Sequence, residues 1–391
     1  MSTPPLLSYG FRPFFLLASL WGGAAVPLWL LAYGGSIQLS NAYGDVGWHA
    51  HELIFGYAAA VICGFLFTAI PNWTGRFPVK GAPLLFLVVI WVLGRLAILG
   101  ADHIGLAVAA VMDVLFLVAV IGFAAREIVA GSNWRNLRVL VLVAALLVGN
   151  ILFHVQTLSQ APTDLALRLS IAALIALITL IGGRVTPSFT RNWLVKREKP
   201  LPLPFGRPDA LAIGTTMVAL MAWVVAPALL VTAALALLAA ALLVIRLLRW
   251  RGAPTWREPI LAIMHIAYGF VPVGFLLLAA SVAWPGVVPA SAVTHSWTVG
   301  AIGTMTLAMM TRASLGHSGR ALKASPATLI LYAAMLIAAL ARVAAALAPD
   351  FAMPLLTLSG AGWSVALLGF AVVFTPMLVA AKPARTRTAS A

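Results

Sequence analysis

The chain has one cysteine, Cys63, so no intrachain disulfide can form. It is almost as poor in charge. Only 9% of its 391 residues are Asp, Glu, Lys or Arg, where a soluble domain carries about 25%. Acids are the scarcer sign, with 10 Asp and Glu against 25 Lys and Arg, for a net charge of +15. No Walker loop, dinucleotide fingerprint, Cys-x-x-Cys pair or nucleophile elbow occurs. The basic residues form no run interleaved with aromatics, so nucleic acid is not the expected partner. No cleavable signal is read at the start. The apolar stretch from Phe11 to Gly34 is too long for a signal core and lacks a convincing cleavage site.

What remains is apolar residue, 62% of the chain. Too little polar surface exists to cover a water-soluble core, and a lipid bilayer removes that need. A spanning helix takes about 20 apolar residues. Runs bounded by Gly, Pro and charge give twelve spans, at 12–34, 47–72, 82–100, 104–124, 136–159, 165–188, 210–227, 228–248, 259–284, 292–312, 327–348 and 355–379. The seventh and eighth meet near Pro227 without a polar loop, so one kinked segment is the rival reading. The expected fold is an all-α polytopic membrane protein, one domain over 1–391.

Basic residues set the orientation. The loops after even-numbered spans hold Arg76, Lys80, Arg126, Arg135, Arg138, Arg191, Lys196, Arg197, Lys199, Arg207, Arg246, Arg249, Arg251, Arg257, Arg312, Arg320 and Lys323. With Arg12 and the tail residues Lys382, Arg385 and Arg387, that is 21 of 25 on one side. The opposite loops hold Asp45, Asp102, Asp164 and Asp350. Basic loops stay cytoplasmic, which puts both termini inside. The Pro-rich basic stretch 191–209 reads as a cytoplasmic linker.

The chain also echoes itself. His51, Gly56, Thr74, Gly75 and Arg76 recur 244 residues later as His295, Gly300, Ser318, Gly319 and Arg320. This pairs the second span with the tenth, eight helices apart. Such an offset suits three four-helix units, near 1–125, 126–250 and 251–391, better than two units of six. Repeats of this kind often hold a site at their interface.

Ligating groups inside a bilayer are costly and tend to be functional. Imidazole is a common nitrogen ligand of copper and haem iron. His49, His51, His154 and His295 fall at one level near the outer leaflet, on three spans. That level suits a haem or copper site, with His51, His154 and His295 sharing a pocket. His49 and His51 point about 200° apart on a regular helix, so one ion cannot take both, and His49 is free to serve a neighbouring site. His265 and His317 lie near the inner face, where a second site and ordinary interfacial histidines are equally open readings. His103 beside Asp102 reads as solvated. Asp113, near the centre of the fourth span, must be paired or protonated, and Arg95 is within snorkelling reach. Glu52 could orient His51 or accept a proton. Asn150, one turn from His154, and Gln156 are candidate supports for that ring. Met305, Met309 and Met310 read as packing.

Three stretches carry a family resemblance: GFRPFFLLASLW at Gly10 to Trp21, WHAHELIFGYAAAVICGFLFTAIPNWTGR at Trp48 to Arg76, and HSWTVGAIGTMTLAMMTRASLGHSGR at His295 to Arg320. They resemble the NnrS family. The resemblance implies a bacterial inner-membrane protein bearing haem, of b type, and copper, with a role in resistance to nitric oxide and nitrosative stress. The family's histidine motifs fall on His49, His51, His295 and His317, and His154 and His265 lie in corresponding spans. It leaves open which histidine holds which metal, and whether nitric oxide is bound or reduced. Haem-copper oxidases and nitric oxide reductases also have twelve helices in three arcs, but their adjacent His-His pair is absent here.

With no cytochrome c motif in the chain, reduction would draw electrons from quinol or a membrane redox protein. Glu52, Asp113 and Arg95 are then the candidates for proton handling. The competing function is secondary transport through a site at the repeat interface, with hinges at Gly182 to Pro187 and Gly269 to Pro272. A transporter has no need of four histidines at one depth.

Overall fold

The computed structural model describes residues 3–40 and 42–381. The tail residues Lys382, Arg385 and Arg387 therefore lie outside the described residues. Among those described there are no strands. Twelve long helices carry the fold: α1 Phe11–Tyr33, α2 Gly44–Thr74, α3 Ala82–Leu99, α4 Leu106–Ala130, α5 Leu137–Leu158, α6 Asp164–Val195, α7 Arg207–Val225, α8 Leu230–Arg249, α9 Pro259–Ala283, α10 at 290–317, α11 Pro326–Leu347 and α12 Ala352–Val379. Eleven are long and apolar enough to cross a membrane, and α10 is the exception. Its Ser296, Thr304, Thr311 and Ser314 are buried. A helix wrapped by other helices can carry such residues because it presents little surface to lipid.

The chain is thus an all-helical polytopic membrane protein. Backbone in hydrocarbon must find its hydrogen bonds within the protein, as each of these helices does, which explains why loops are short and confined to the ends. The helices form an enclosed set and an outer set. In α2 and α6, 78% and 61% of the apolar window is buried inside the bundle, against 28% in α4. These two helices and α10 meet one another's neighbours at the centre, where α10 packs on α2, α6, α9, α11 and α12.

The enclosed helices share a backbone feature. Each contains a π-helical segment, at Glu52–Ala58 in α2, Ile178–Gly182 in α6 and Ser296–Gly303 in α10. π turns are rare and cluster at functional sites. The segments in α2 and α10 start directly after His51 and His295, the histidines of the 244-residue echo. Gly75 and Gly319, also in that echo, both take positive φ, 70° and 74°, just past the ends of these helices.

Some boundaries differ from those read in the sequence. α4 continues to Ala130, which moves Asp113 out of the helix centre to two turns from its start. α6 continues to Val195 and α7 begins at Arg207, where Asp209 accepts the Gly206 N–H at 3.0 Å. The linker is accordingly 196–206 rather than 191–209. The break at 226–229 separates α7 from α8, so the kinked single helix does not occur. Arg246 is not a loop residue. It is 2% exposed within α8 and donates to the Thr179 and Gly183 carbonyls and the Tyr268 hydroxyl.

The first and last helices meet at the end that carries the basic loops. Arg12 donates through Nη1 to the carbonyls of Leu378 and Ala380, at 2.8 and 2.6 Å. The Phe11 N–H donates to Thr68 Oγ1 at 3.0 Å. The GFRPFF stretch is therefore a clasp between α1, α2 and α12.

Candidate metal centre

At the opposite end, four helices bring polar side chains into an apolar interior. α2 supplies His51 and Glu52, α3 Arg95, α4 Asp113, and α5 Asn150 and His154, all buried. Close approach requires glycine. A Cβ at Gly56 would lie 2.9 Å from Arg95 Nη1 and 3.0 Å from both Glu52 Oε2 and Trp21 Nε1. One at Gly94 would lie 3.2 Å from the Asp113 Cα. Both glycines hold open the space that the ionic groups fill.

Asp113 is the hub. Its Oδ2 lies 3.2 Å from His51 Nε2, 3.1 Å from His154 Nε2 and 2.8 Å from Asn150 Nδ2, which donates to it. Its Oδ1 accepts from Arg95 Nη2. Arg95 Nη1 also donates to Glu52 Oε1 at 2.5 Å, and Trp21 Nε1 donates to Glu52 Oε2 at 2.6 Å. Each imidazole is held from behind. His51 Nδ1 meets Glu52 Oε1 at 2.9 Å, and His154 Nδ1 meets the Tyr43 hydroxyl at 3.3 Å. With Nδ1–H donating to Glu52, the Nε2 of His51 that faces Asp113 Oδ2 is the nitrogen a metal would take. Burial pushes the Tyr43 hydroxyl well above the ordinary tyrosine range, with the Glu52 charge adding to it, so the phenol keeps its proton.

The donor set fits a metal ion. Ligand atoms of His51, Asp113 and His154 lie within 4.8 Å of one another. Around a tetrahedral ion with bonds of about 2.0–2.1 Å, neighbouring ligand atoms sit about 3.3 Å apart. The two Nε2-to-Oδ2 separations, 3.2 and 3.1 Å, are already near that value. An imidazole tied through its other nitrogen to a carboxylate or hydroxyl is the usual supporting arrangement of a ligating histidine. Charge points the same way. With neutral imidazoles, Glu52 and Asp113 against Arg95 leave one uncompensated negative charge, which is costly in a buried site. A bound monocation cancels it.

On the other face of α2 lies a cavity among α1, α2, α6, α10, α11 and α12. It encloses about 240 Å3, and about 1230 Å3 of space between atoms when its open mouth is included. His49 and His295 line it, as do Arg168 and Arg342. The α-helical turn between residues 49 and 51 thus sends the two imidazoles to separate sites.

The NnrS protein family model matches residues 5–382. The chain belongs to the NnrS family. No curated protein matches it. For a member of the NnrS family, a buried His-Asp-His cluster is compatible with metal binding.

Several sequence expectations are redistributed. Arg95 meets Asp113, Glu52 meets His51, and Asn150 joins His154 on Asp113. His295 does not join His51 and His154. This corrects the shared pocket expected for the three rings. A common depth on three helices fixes height but not azimuth, and His295 faces the cavity that His49 lines. Gln156 does not support His154 either, because its buried Oε1 has no partner. At the basic end, His265 meets Thr190 Oγ1 at 2.8 Å and the Trp250 ring. His317 packs on Tyr9 and Phe11 instead, so these contacts do not gather the two into a second site. His103 is exposed. Met305 and Met310 are buried in the core.

Sequence reasoning missed Tyr43, Trp21, Arg168 and Arg342. A signal for the arginines existed. Of the 25 basic residues, Arg95, Arg168 and Arg342 are the three that fall toward the side opposite the basic loops. All three reach the metal cluster or the cavity.

Proposed function

We propose that this chain is a haem- and copper-bearing membrane protein that binds nitric oxide and protects its cell against nitrosative stress, with copper held by His51, His154 and Asp113. The observation that carries this reading is the convergence of two imidazole Nε2 atoms on one carboxylate oxygen in a fully buried, anionic site. Copper bound there supplies electron density to a small π-acceptor such as nitric oxide. Imidazole and carboxylate donors suit copper, zinc and non-haem iron alike, so the family supplies the choice of copper. Nitric oxide is apolar and concentrates in lipid, and a site enclosed by helices meets it from that phase.

The chain's own residues have distinct tasks. Glu52 fixes the His51 tautomer through Nδ1. Tyr43 holds His154. Arg95 spans both carboxylates and keeps Asp113 aimed at the imidazoles. Glu52 and Asp113 are the groups able to hand on protons if reduction follows binding, and quinol or a membrane redox protein is the proposed electron donor. Basic residues stay on the cytoplasmic side. That assigns both termini to the cytoplasm and the metal cluster to the outer half of a bacterial inner membrane.

The test is anaerobic nitric oxide titration of reduced protein in mild detergent, with metal analysis and nitrous oxide detection on the same sample. Copper near one per chain, and a nitrosyl infrared band that disappears in His51→Ala, are expected. Stoichiometric zinc with no nitrosyl band would remove both the metal assignment and the function.

A further inference from the structure

We infer that the cavity between α2 and α10 seats the haem, with His49 and His295 as axial ligands and Arg168 and Arg342 as partners of its two carboxylates. This deepens the reading above and rests on its premise that the protein carries haem. The imidazoles come from two enclosed helices and line one cavity. Neither ring is consumed by the bundle. His295 Nδ1 lies 2.7 Å from the Ser291 carbonyl and donates to it, which leaves Nε2 as the ligating atom. His49 Nδ1 is buried with no hydrogen-bond partner, and its ring stacks on Trp29 at 4.1 Å. A buried, unpaired imidazole nitrogen is costly, and a ligand or a metal bond at this ring offsets the cost.

The cations define the ligand's polar end. Arg342 lines the cavity on α11 and forms no ion pair among the described residues. Arg168 donates only Nε–H, to the Val224 carbonyl at 3.2 Å. Asp164 also lines the cavity but is exposed and pairs with neither arginine. Most of the remaining lining is apolar, with Trp29, Leu53, Ile171 and Trp363 among it. Two imidazoles, two guanidiniums and an otherwise largely apolar lining match the chemistry of a dianionic tetrapyrrole, and a neutral lipid or quinol would leave both guanidiniums unpaired.

Ligation by two histidines leaves the iron no open position. The haem would then carry electrons, and the small-molecule ligand would go to the cluster on the opposite face of α2. The two sites are separated by α2 itself, and a helix with its side chains is about 10–12 Å across.

The experiment uses the full chain purified in mild detergent, read by haem content, low-temperature electron paramagnetic resonance and copper content. The wild type should show low-spin, six-coordinate haem. His49→Ala and His295→Ala should each weaken haem retention by more than the roughly tenfold cost of losing a ligand's supporting partner, with copper unchanged. His49→Met and His295→Met retain a ligand, so they should keep haem with displaced absorption bands. These variants cover the case in which an alanine variant folds poorly. Arg342→Gln should keep the low-spin signal and shift the midpoint potential. Unchanged low-spin spectra in all four histidine variants would overturn the inference, as would loss of copper with haem intact. Wild type with copper and without haem would overturn it and leave the copper reading standing. Wild type with low-spin haem and no copper would do the reverse.

Discussion

The two faces of α2 hold histidines two residues apart in opposite conditions. His51 has both nitrogens facing carboxylates, inside a cluster whose carboxylate oxygens are all engaged. His49 has an unpaired nitrogen beside an open cavity. The cluster is organised before any ligand arrives, whereas the cavity is completed only by what fills it. Polar groups in hydrocarbon are tolerated in these two ways, by mutual satisfaction or by a ligand, and one helix uses both.

Substitutions that break the cluster should cost most. Asp113→Ala removes the hub and leaves Arg95 with Glu52 alone. Loss of one partner of a buried ionic set costs about 3–5 kcal/mol. The expected result is loss of copper together with a much lower unfolding temperature in detergent. His51→Ala and His154→Ala keep the Arg95 pairs, so copper should fall while haem and folding persist, as metal analysis and circular dichroism would record. That outcome separates the two faces directly. Gly56→Ala places a Cβ 2.9 Å from Arg95 Nη1. Overpacking costs about 1–3 kcal/mol, and copper affinity should weaken with it while the cavity is untouched. Tyr43→Phe removes the hydroxyl behind His154, and loss of such a support lowers metal affinity about 10–100-fold with little change in folding. Thr306→Val is the smallest change. It deletes the 2.7 Å bond to the Tyr57 hydroxyl and should cost about 1 kcal/mol with copper unaltered.

The helices were legible because lipid imposes a length and a composition that a single sequence displays. The misplaced ends have local causes. Leu106–Ala130 runs past Arg126 because Arg126 and Arg76 both pair with Glu127, which lets the helix emerge from the apolar layer. α10 reads as a span only from its apolar middle, since enclosure by other helices relaxes its composition. Within the site, adjacency along one helix was readable, as for Asn150 and His154. Pairing across helices was readable only where a charge had no other refuge, as for Arg95 and Asp113. The azimuth of His295 was not, because the echo with His51 records a shared backbone position and not a shared partner. Both residues precede a π segment, yet one faces the ionic cluster and the other the cavity.

The most direct measurement is X-ray absorption at the copper edge on purified wild type and on the His51→Ala and His154→Ala variants. The account predicts a copper shell of imidazole nitrogen and carboxylate oxygen at about 2.0 Å in the wild type, absent in both variants. A sulfur-containing shell, or a wild-type spectrum that survives both substitutions, would contradict it.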